Sequence, residues 1–576
     1  MTAPAPDTAP DTAPAPPVLS PSRPLVAAAI AFGLLCGASE ITNTAVGWHV
    51  ASGRWMLDHR ELLDRDVFSF TAAGTEWLDH EWLFQILAAG LYELGGAPAL
   101  VGLRMAVVAA LAVLLLRIGT ASGLDPPAAL ALACVSVLGA RPRFFVRPEL
   151  ATLLVVPLAL WLFATRRDRR WWPLTLAAVV AVGVNLHGAV LVTPILLAVW
   201  LVGEAAGWLL ARRLDPQALR TGLVGVAAAF AATLANPHGL GIWAVPFQLA
   251  ELVRQPHVPN PEWLSPGPAD APELYAAMVL GVVVLLVGRA ALPRWLLGAA
   301  AAALALQHIR NLGLFFVLLP LVVAPSLARW PALGAGSAAP ATRRRAVRLA
   351  CVGLAAVLAT VAAARPWPRP GFGFADRWYP DRAVAFLDAH DLRDGPLYND
   401  VRFGGWLILD GYPEHRVFLD DRNEIHEPLL REIWEIFGRS DVAAWQALLG
   451  RWHIDTVLLR YHEPIRVATP DGTELGRRGF SQLWFPAGDW AMVYWDDVAM
   501  VLVRRSSVPP GLLAAREYRL LHPDDLEHVL AALRADPDLL PIAHAELRQA
   551  LADDPECRRA LELAALLSTA TRRGAS

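Results

Sequence analysis

The chain has 576 residues, 55% of them hydrophobic and 18% charged, with a formal net charge of −3 and a mean hydropathy of +0.40. Soluble proteins carry about 25% charge, so this balance excludes a chain that is water-soluble throughout, and the apolar share excludes one that is disordered throughout. The near-neutral charge offers no basic footprint for nucleic acid, and a polytopic membrane protein with a soluble part is the class that remains.

Residues 1–22 are Ala, Pro, Thr, Asp and Ser with almost no large apolar side chain. They cannot bury enough surface to offset chain entropy and are expected to be disordered. The first apolar stretch follows Arg23 and reaches about Thr42, long enough to span a bilayer. The loop 43–81 follows, then an apolar segment, 82–96. Its short length, its Trp82 start and its Gly95-Gly96 end suggest a helix lying in the interface. Further spans are expected near 97–117, 125–142, 149–165, 171–186, 189–210, 219–235, 272–288, 294–308, 311–330 and 346–364, about 11 in all.

All 50 basic residues are arginine. Their clusters at 166–170, 212–213, 289–294 and 343–345 are separated by even numbers of spans, so they share one side, the cytoplasmic one. The N-terminus is then cytoplasmic. Loops 43–81, 141–149, 236–271 and 308–311, and everything after about 365, face outward. The expected fold class is mainly α: a transmembrane helix bundle over 23–365, a small extracytoplasmic α/β domain over 366–508, and a helical tail over 509–576. In the α/β domain, strands are expected at 395–398, 406–409, 417–419, 456–459, 492–495 and 499–503, and helices at 383–389 and 427–437.

Polar groups near span ends are costly to hold and are functional candidates. The outward loops gather His49, Asp66, Asp79, His80 and Glu81, then Arg143, Arg147 and Glu149, then Asn185, His187, His238, Glu262, His308 and Arg310. Carboxylates in this set can take the proton of an acceptor hydroxyl, with Asp66, then Asp79 and Glu81, as candidates. Arg143, Arg147 and Arg310 can neutralise a phosphate through the guanidinium fork. His49, His80, Glu149, Asn185, His187, His238, Glu262 and His308 are candidate substrate contacts. Each has a plainer reading. Arginines at span ends snorkel to headgroups, Asn236-Pro-His238-Gly239 reads first as a turn, and Asp79-His80-Glu81 resembles a helix N-terminus. No metal-ligand spacing is present, and no metal or other cofactor is expected. The motifs 399–406 and 418–424 are either a binding edge of the α/β sheet or hydrogen bonds that fix loops, the second being favoured. Gly404-Gly405 permits close backbone approach.

The stretch from about 24 to 330 resembles the GT-C superfamily of polytopic glycosyltransferases, in particular the group with protein O-mannosyltransferases and lipid A aminoarabinose transferases. The residues that carry the likeness are Ser52 to Leu57, Asp66 to Phe70, Trp77 to Leu83, Leu91 to Gly95, Arg104, and Phe145-Val-Arg-Pro-Glu-Leu150. Arg147-Pro148-Glu149 looks like the family's Arg-Pro-Asp motif. The region 396–424 resembles the outer domain of a mostly uncharacterised bacterial subgroup. The resemblance implies a bacterial inner-membrane enzyme that moves a sugar from a polyprenyl-phosphate-linked donor to a glycan, lipid or protein acceptor at the outer face, with membrane lipid as its surroundings. One departure stands out: the family's acid after the first span corresponds here to Ala45. This gives the alternative of an inactive GT-C-like protein that binds lipid-linked glycans or scaffolds an envelope complex.

Overall fold

The computed structural model describes residues 20–257, 261–336, 339–364, 369–468 and 474–574. The segment 1–22, expected to be disordered, lies almost wholly outside the described residues. The first thirteen helices are α1 (Arg23–Gly37), α2 (Ala45–His59), α3 (Trp82–Ala121), α4 (Pro126–Ala140), α5 (Glu149–Thr165), α6 (Trp172–Leu186), α7 (Val192–Leu210), α8 (Pro216–Ala232), α9 (Val245–Leu252), α10 (Pro272–Val287), α11 (Leu292–Gln307), α12 (Leu312–Leu327) and α13 (Ala341–Ala364). Every expected span overlaps one of them. Among the described residues, three helical stretches are long and apolar enough to cross a membrane, Trp82–Ala121, Gly188–Leu210 and Ile309–Leu327, and four shorter ones are also apolar.

Two compact units divide the chain. One holds residues 1–39, 100–243 and 260–372, the other 40–99, 244–259 and 373–576. In the first, proline opens α1, α4, α6, α8, α10 and α11, where its missing N–H costs nothing and its fixed φ suits the first turn. The core is Leu, Ala, Val and Phe. Within it α4 packs on α1, α12 and α13, and α11 packs on both α7 and α12. Small residues set the closest crossings: a Cβ on Gly203 of α7 would stand 2.5 Å from the Pro293 backbone of α11. Arg104, buried on α3, donates to the carbonyls of Gly37 and Ser39 and so satisfies the end of α1.

The apolar segment 82–96 does end where its glycines stand. Gly95 and Gly96 leave helical geometry inside α3, Gly96 at φ 59°, a left-handed value that glycine adopts without strain.

The second unit holds α2, the start of α3, α9 and the whole chain from 373. Its later helices are α14 (Asp381–Ala389), α15 (Val401–Gly411), α16 (Asn423–Gly438), α17 (Val442–Arg451), α18 (Phe480–Trp484), α19 (Pro510–Arg516), α20 (Leu526–Ala535), α21 (Leu540–Asp553) and α22 (Arg558–Gly574). Strands β1 (Leu397–Asn399), β2 (Thr456–Arg460), β5 (Trp490–Trp495) and β6 (Ala499–Arg504) form a sheet in the order β1-β2-β6-β5. In it, β1 and β2 are parallel and the other pairs antiparallel. A separate hairpin joins β3 (Ile465–Ala468) to β4 (Glu474–Arg478). The tail helices bury Val529, Leu547, Ala560 and Leu563 in the same core as Trp445 and Trp490.

The expected strand at 406–409 is a correction: these residues lie in α15. Asp400 caps that helix by accepting from Arg402 N at 3.0 Å, and the buried Phe403, Leu407 and Gly411 recur every four residues. The run 417–419 is likewise no ladder strand; Val417 makes one isolated parallel bridge with Ser69. Gly404-Gly405 does serve close approach, Gly404 to the backbone of Leu419 and Asp420 and Gly405 to α2. A Cβ on Gly47 of α2 would meet Gly405 O at 2.0 Å, and one on Gly405 would meet Thr44 O at 2.4 Å.

Candidate functional site

The loops at one end of the first unit bring six of the expected residues together. Arg143 follows α4 in a short 3-10 turn, and Glu149 sits in the first turn of α5. Arg143 forks onto Glu149, Nε to Oε1 at 3.0 Å and Nη2 to Oε2 at 2.6 Å. Its Nη1 donates to Glu262 Oε1 at 3.2 Å, and Arg147 Nη1 donates to the same oxygen at 3.0 Å. Burial alone would raise the Glu262 carboxyl. Arg147 and Arg143 beside it, with Arg310 further off, overcome that and hold it down at about 2. Both Arg143 and Arg147 lie over the Phe145 ring. Arg310 lies over Trp263 at 4.3 Å, and His308 Nδ1 bonds Trp263 O at 2.7 Å. Three guanidiniums thus face two carboxylates. The surplus charge falls on Arg310, which makes no ion pair among the described residues, and Arg147 Nε is buried without an acceptor.

An apolar groove of about 220 Å³ lies between α10, α11 and α12, lined by Met278, Trp295, Phe315 and Leu319. Phe315 is five residues past Arg310, about 7 Å along the helix.

Three more expected residues hold helix ends and turns instead. Asn185 donates to Ala181 O and Ala235 O, both at 2.7 Å. His187 Nδ1 bonds Thr152 Oγ1 at 2.7 Å. His238 N donates to Asn236 Oδ1 at 2.7 Å, within a turn.

In the second unit, His49 on α2 meets the residues that precede α3. Glu81 lies between two imidazoles, His49 Nδ1 at 3.7 Å and His80 Nε2 at 3.6 Å. Asp79 Oδ1 accepts from Glu81 N at 3.1 Å and from Gln85 Nε2 at 2.8 Å. Asp79 is buried. Burial raises its carboxyl to about 7, against the lowering effect of the Glu81 amide. Sequence reasoning passed over Gln85. Its signal was there, a lone amide in an otherwise apolar stretch between Phe84 and Ile86, and the structure buries it fully.

Asp66 stands apart from that group. Its Oδ1 accepts from Arg422 Nη2 at 2.7 Å and its Oδ2 from Ser69 Oγ at 2.6 Å. Arg422 also forks onto Asp420, which His426 Nε2 approaches at 3.2 Å. Burial opposes ionisation of Asp420, but Arg422 and His426 hold its carboxyl far below the usual range. Phe68 and Trp77 flank the guanidinium. The arrangement locks loop 43–81 to residues 418–426. A cavity of about 310 Å³ elsewhere in this unit is lined by Phe70, Arg393, Asn399, His415 and Arg416, among others.

Among the described residues, Asp497, Asp554 and Cys557 lie close enough to share a metal ion. Arg377 already supplies the positive charge there, reaching Asp554 Oδ2 at 2.6 Å and Asp497 Oδ2 at 3.1 Å.

No family model matches the chain, and no curated protein matches it. Solved structures do. An oligosaccharyltransferase of Archaeoglobus fulgidus, in the apo form, aligns over 82% of this chain and 79% of its own, at 10% identity and a TM-score of 0.53. ArnT of Cupriavidus metallidurans, bound to undecaprenyl phosphate, aligns over 84% of this chain and 98% of its own, at 14% identity and a TM-score of 0.45. The fold resembles that of the GT-C glycosyltransferases, mainly helical with its sheets toward the C-terminus, and the chain is a membrane protein.

Proposed function

We propose that the chain is a glycosyltransferase of the bacterial inner membrane. It takes a sugar from a polyprenyl-phosphate-linked donor and passes it to an acceptor hydroxyl at the outer face. The observation that carries this reading is the cation cluster of Arg143, Arg147 and Arg310, in which Arg310 sits at the turn joining α11 to α12, two of the three helices that line the apolar groove. A lipid phosphate needs both: guanidiniums for its oxygens and an apolar channel for its chain. Arg147 and Arg310 take the phosphate. Arg143, committed to Glu149, positions them.

Asp79 and Glu81 supply the base. The acceptor O–H gives its proton to the carboxylate, the oxygen bonds to the anomeric carbon, and the carbon–oxygen bond to phosphate breaks. The polyprenyl phosphate leaves with the electron pair, and the guanidiniums stabilise the charge that builds on it. The cavity at Arg393 and His415 takes the acceptor, and the domain from 366 to 508 presents it from the extracytoplasmic side. The N-terminus is cytoplasmic, as are the arginine clusters. The helical tail, 509–576, completes the outer part.

The test is transfer in membranes supplied with radiolabelled polyprenyl-phosphate sugars. Wild type transfers; Asp79→Asn and the Arg147→Ala/Arg310→Ala pair do not. Ala45, at the family's acid position, favours one other reading, binding without chemistry. Retention of lipid-linked donors with no transfer by the wild type would establish that reading and remove the first.

A further inference from the structure

The helices that present the Arg143 cluster carry a second polar cavity at their other ends. From Glu149 to Thr165, α5 has 17 residues, about 25 Å. α11 starts near this second cavity and ends beside His308. The cavity measures about 540 Å³ and is lined in part by Ser122, Trp161, Trp200, Glu204, Trp208 and Arg294.

Its polar inventory is one-sided. Glu204 is its one carboxylate, and both oxygens are taken: Oε1 accepts from Trp200 Nε1 at 2.9 Å and Oε2 from Arg167 Nη1 at 2.7 Å. Arg167 neutralises Glu204, so the charge of Arg294 is left over. The Arg294 guanidinium lies over the Trp200 ring at 5.6 Å and makes no ion pair among the described residues. Arg294 Nε and Trp161 Nε1 are buried donors without an acceptor, as is Arg167 Nη2 next to Glu204. A buried donor without an acceptor costs about as much as a lost hydrogen bond, so Arg294 Nε and Trp161 Nε1, both on residues that line this cavity, mark a position built for an acceptor. The α10–α11 turn also lines a cavity of about 580 Å³, together with Arg329, Trp330 and Arg343. Arg166 and Arg170 lie over Trp161 and Trp171. Arginine with tryptophan at the ends of apolar helices is the composition that meets anionic headgroups.

We infer that the cavity at Arg294 and Trp161 binds the phosphate of an anionic phospholipid, at a site separate from the Arg143 cluster. The phosphate oxygens accept from Arg294 and from the Trp161 indole, and the acyl chains run along the apolar flank of α11.

The experiment is native mass spectrometry of the full-length protein in detergent, titrated with phosphatidylglycerol or phosphatidylcholine. Wild type should retain phosphatidylglycerol about tenfold more tightly. Arg294→Gln should remove most of that preference, and Arg294→Lys should keep part of it. Trp161→Phe keeps the ring and loses the donor; it should weaken retention about threefold, and it decides the matter if Arg294→Gln does not fold. Equal retention of the two lipids, or unchanged retention in Trp161→Phe and Arg294→Gln, overturns the inference. So does displacement of phosphatidylglycerol by equimolar glycerol 3-phosphate, which would make the ligand a soluble phosphate. None of these readouts depends on sugar transfer, so a failure here leaves the proposed reaction standing.

Discussion

Arg422 donates to Asp66 at 2.7 Å across 356 positions of the chain, and neither side chain has any solvent exposure. A pair so buried repays its desolvation only while both partners are present. Asp66→Ala leaves Arg422 with Asp420 alone and removes the acceptor of Ser69. A loss of about 3–5 kcal/mol is expected, read as a lower thermal midpoint and faster proteolysis of loop 43–81. Replacing Asp66, Asp420 and Arg422 together with apolar residues of similar volume should recover much of it. A stable Asp66→Ala protein that has lost only transfer would return Asp66 to the role of base.

Asp79 gives a pH signature of definite sign. Its carboxyl is raised to about 7 in the folded chain, so between the ordinary carboxylate range and pH 7 the folded state holds a proton that the unfolded state has released. The stability this contributes is full at low pH and is lost as pH rises toward 7. Activity runs the other way, because a base must be ionised. The wild-type rate should climb through a limb near pH 7, while the thermal midpoint of Asp79→Asn, which does not transfer, should fall less than that of wild type from pH 5 to 8. A pH-independent wild-type rate over that range would remove Asp79 from the mechanism.

The arginines of the cluster should separate on mutation. Arg143→Ala strands the buried Glu149, and a stability loss of about 3–5 kcal/mol follows. Arg310 has no carboxylate partner to strand, so Arg310→Ala should fold normally and bind polyprenyl phosphate about tenfold more weakly. Glu262 is depressed to about 2; its stabilising contribution is present above its usual range and is lost as pH falls toward 2. Arg147→Ala should move that loss to higher pH. Calorimetry against pH, alongside lipid-phosphate binding, reads both.

Gly47→Ala tests the crossing of α2 and α15. The added Cβ would stand 2.0 Å from a backbone carbonyl, which cannot swing aside as a side chain can. Overpacking of this kind costs about 1–3 kcal/mol or more. Gly90→Ala is the control: nothing lies within 4 Å of its Cβ, and in α3 the change should be neutral or stabilising by about 0.5–1 kcal/mol. Comparable melting of the two variants would contradict the crossing.

Much of the bundle was legible because a helix that must satisfy its own backbone in lipid shows as an unbroken apolar run. Arg147, Glu149, Glu262 and Arg310 were legible as ionisable groups at the ends of such runs, and the structure brings them together with Arg143. The length of α15 was not. Gly404-Gly405-Trp406-Leu407-Ile408 is too short an apolar run for period alone to tell helix from strand; the cap at Asp400 and the carbonyls of Thr44 and Leu419 against the glycines decide it. β3 and β4 were missed because Arg466, Arg477 and Arg478 break the alternation that marks a half-buried strand. Asp66 reads as reactive in the sequence because its partner, Arg422, is so far away along the chain; the ion pair exists only once the fold closes.

Arg143 and Arg147 both reach one oxygen of Glu262, and that sharing governs how tightly the cluster can hold a guest. Without the carboxylate, neighbouring guanidiniums would push one another apart, so Glu262 keeps them gathered in advance. At Arg147 an arriving anion must therefore trade places with a resident one, and the gain there is only the difference between two similar embraces, to which Arg310 adds its uncommitted charge. Such an exchange favours passage over capture: the spent lipid carrier can be let go as readily as its loaded form is taken up.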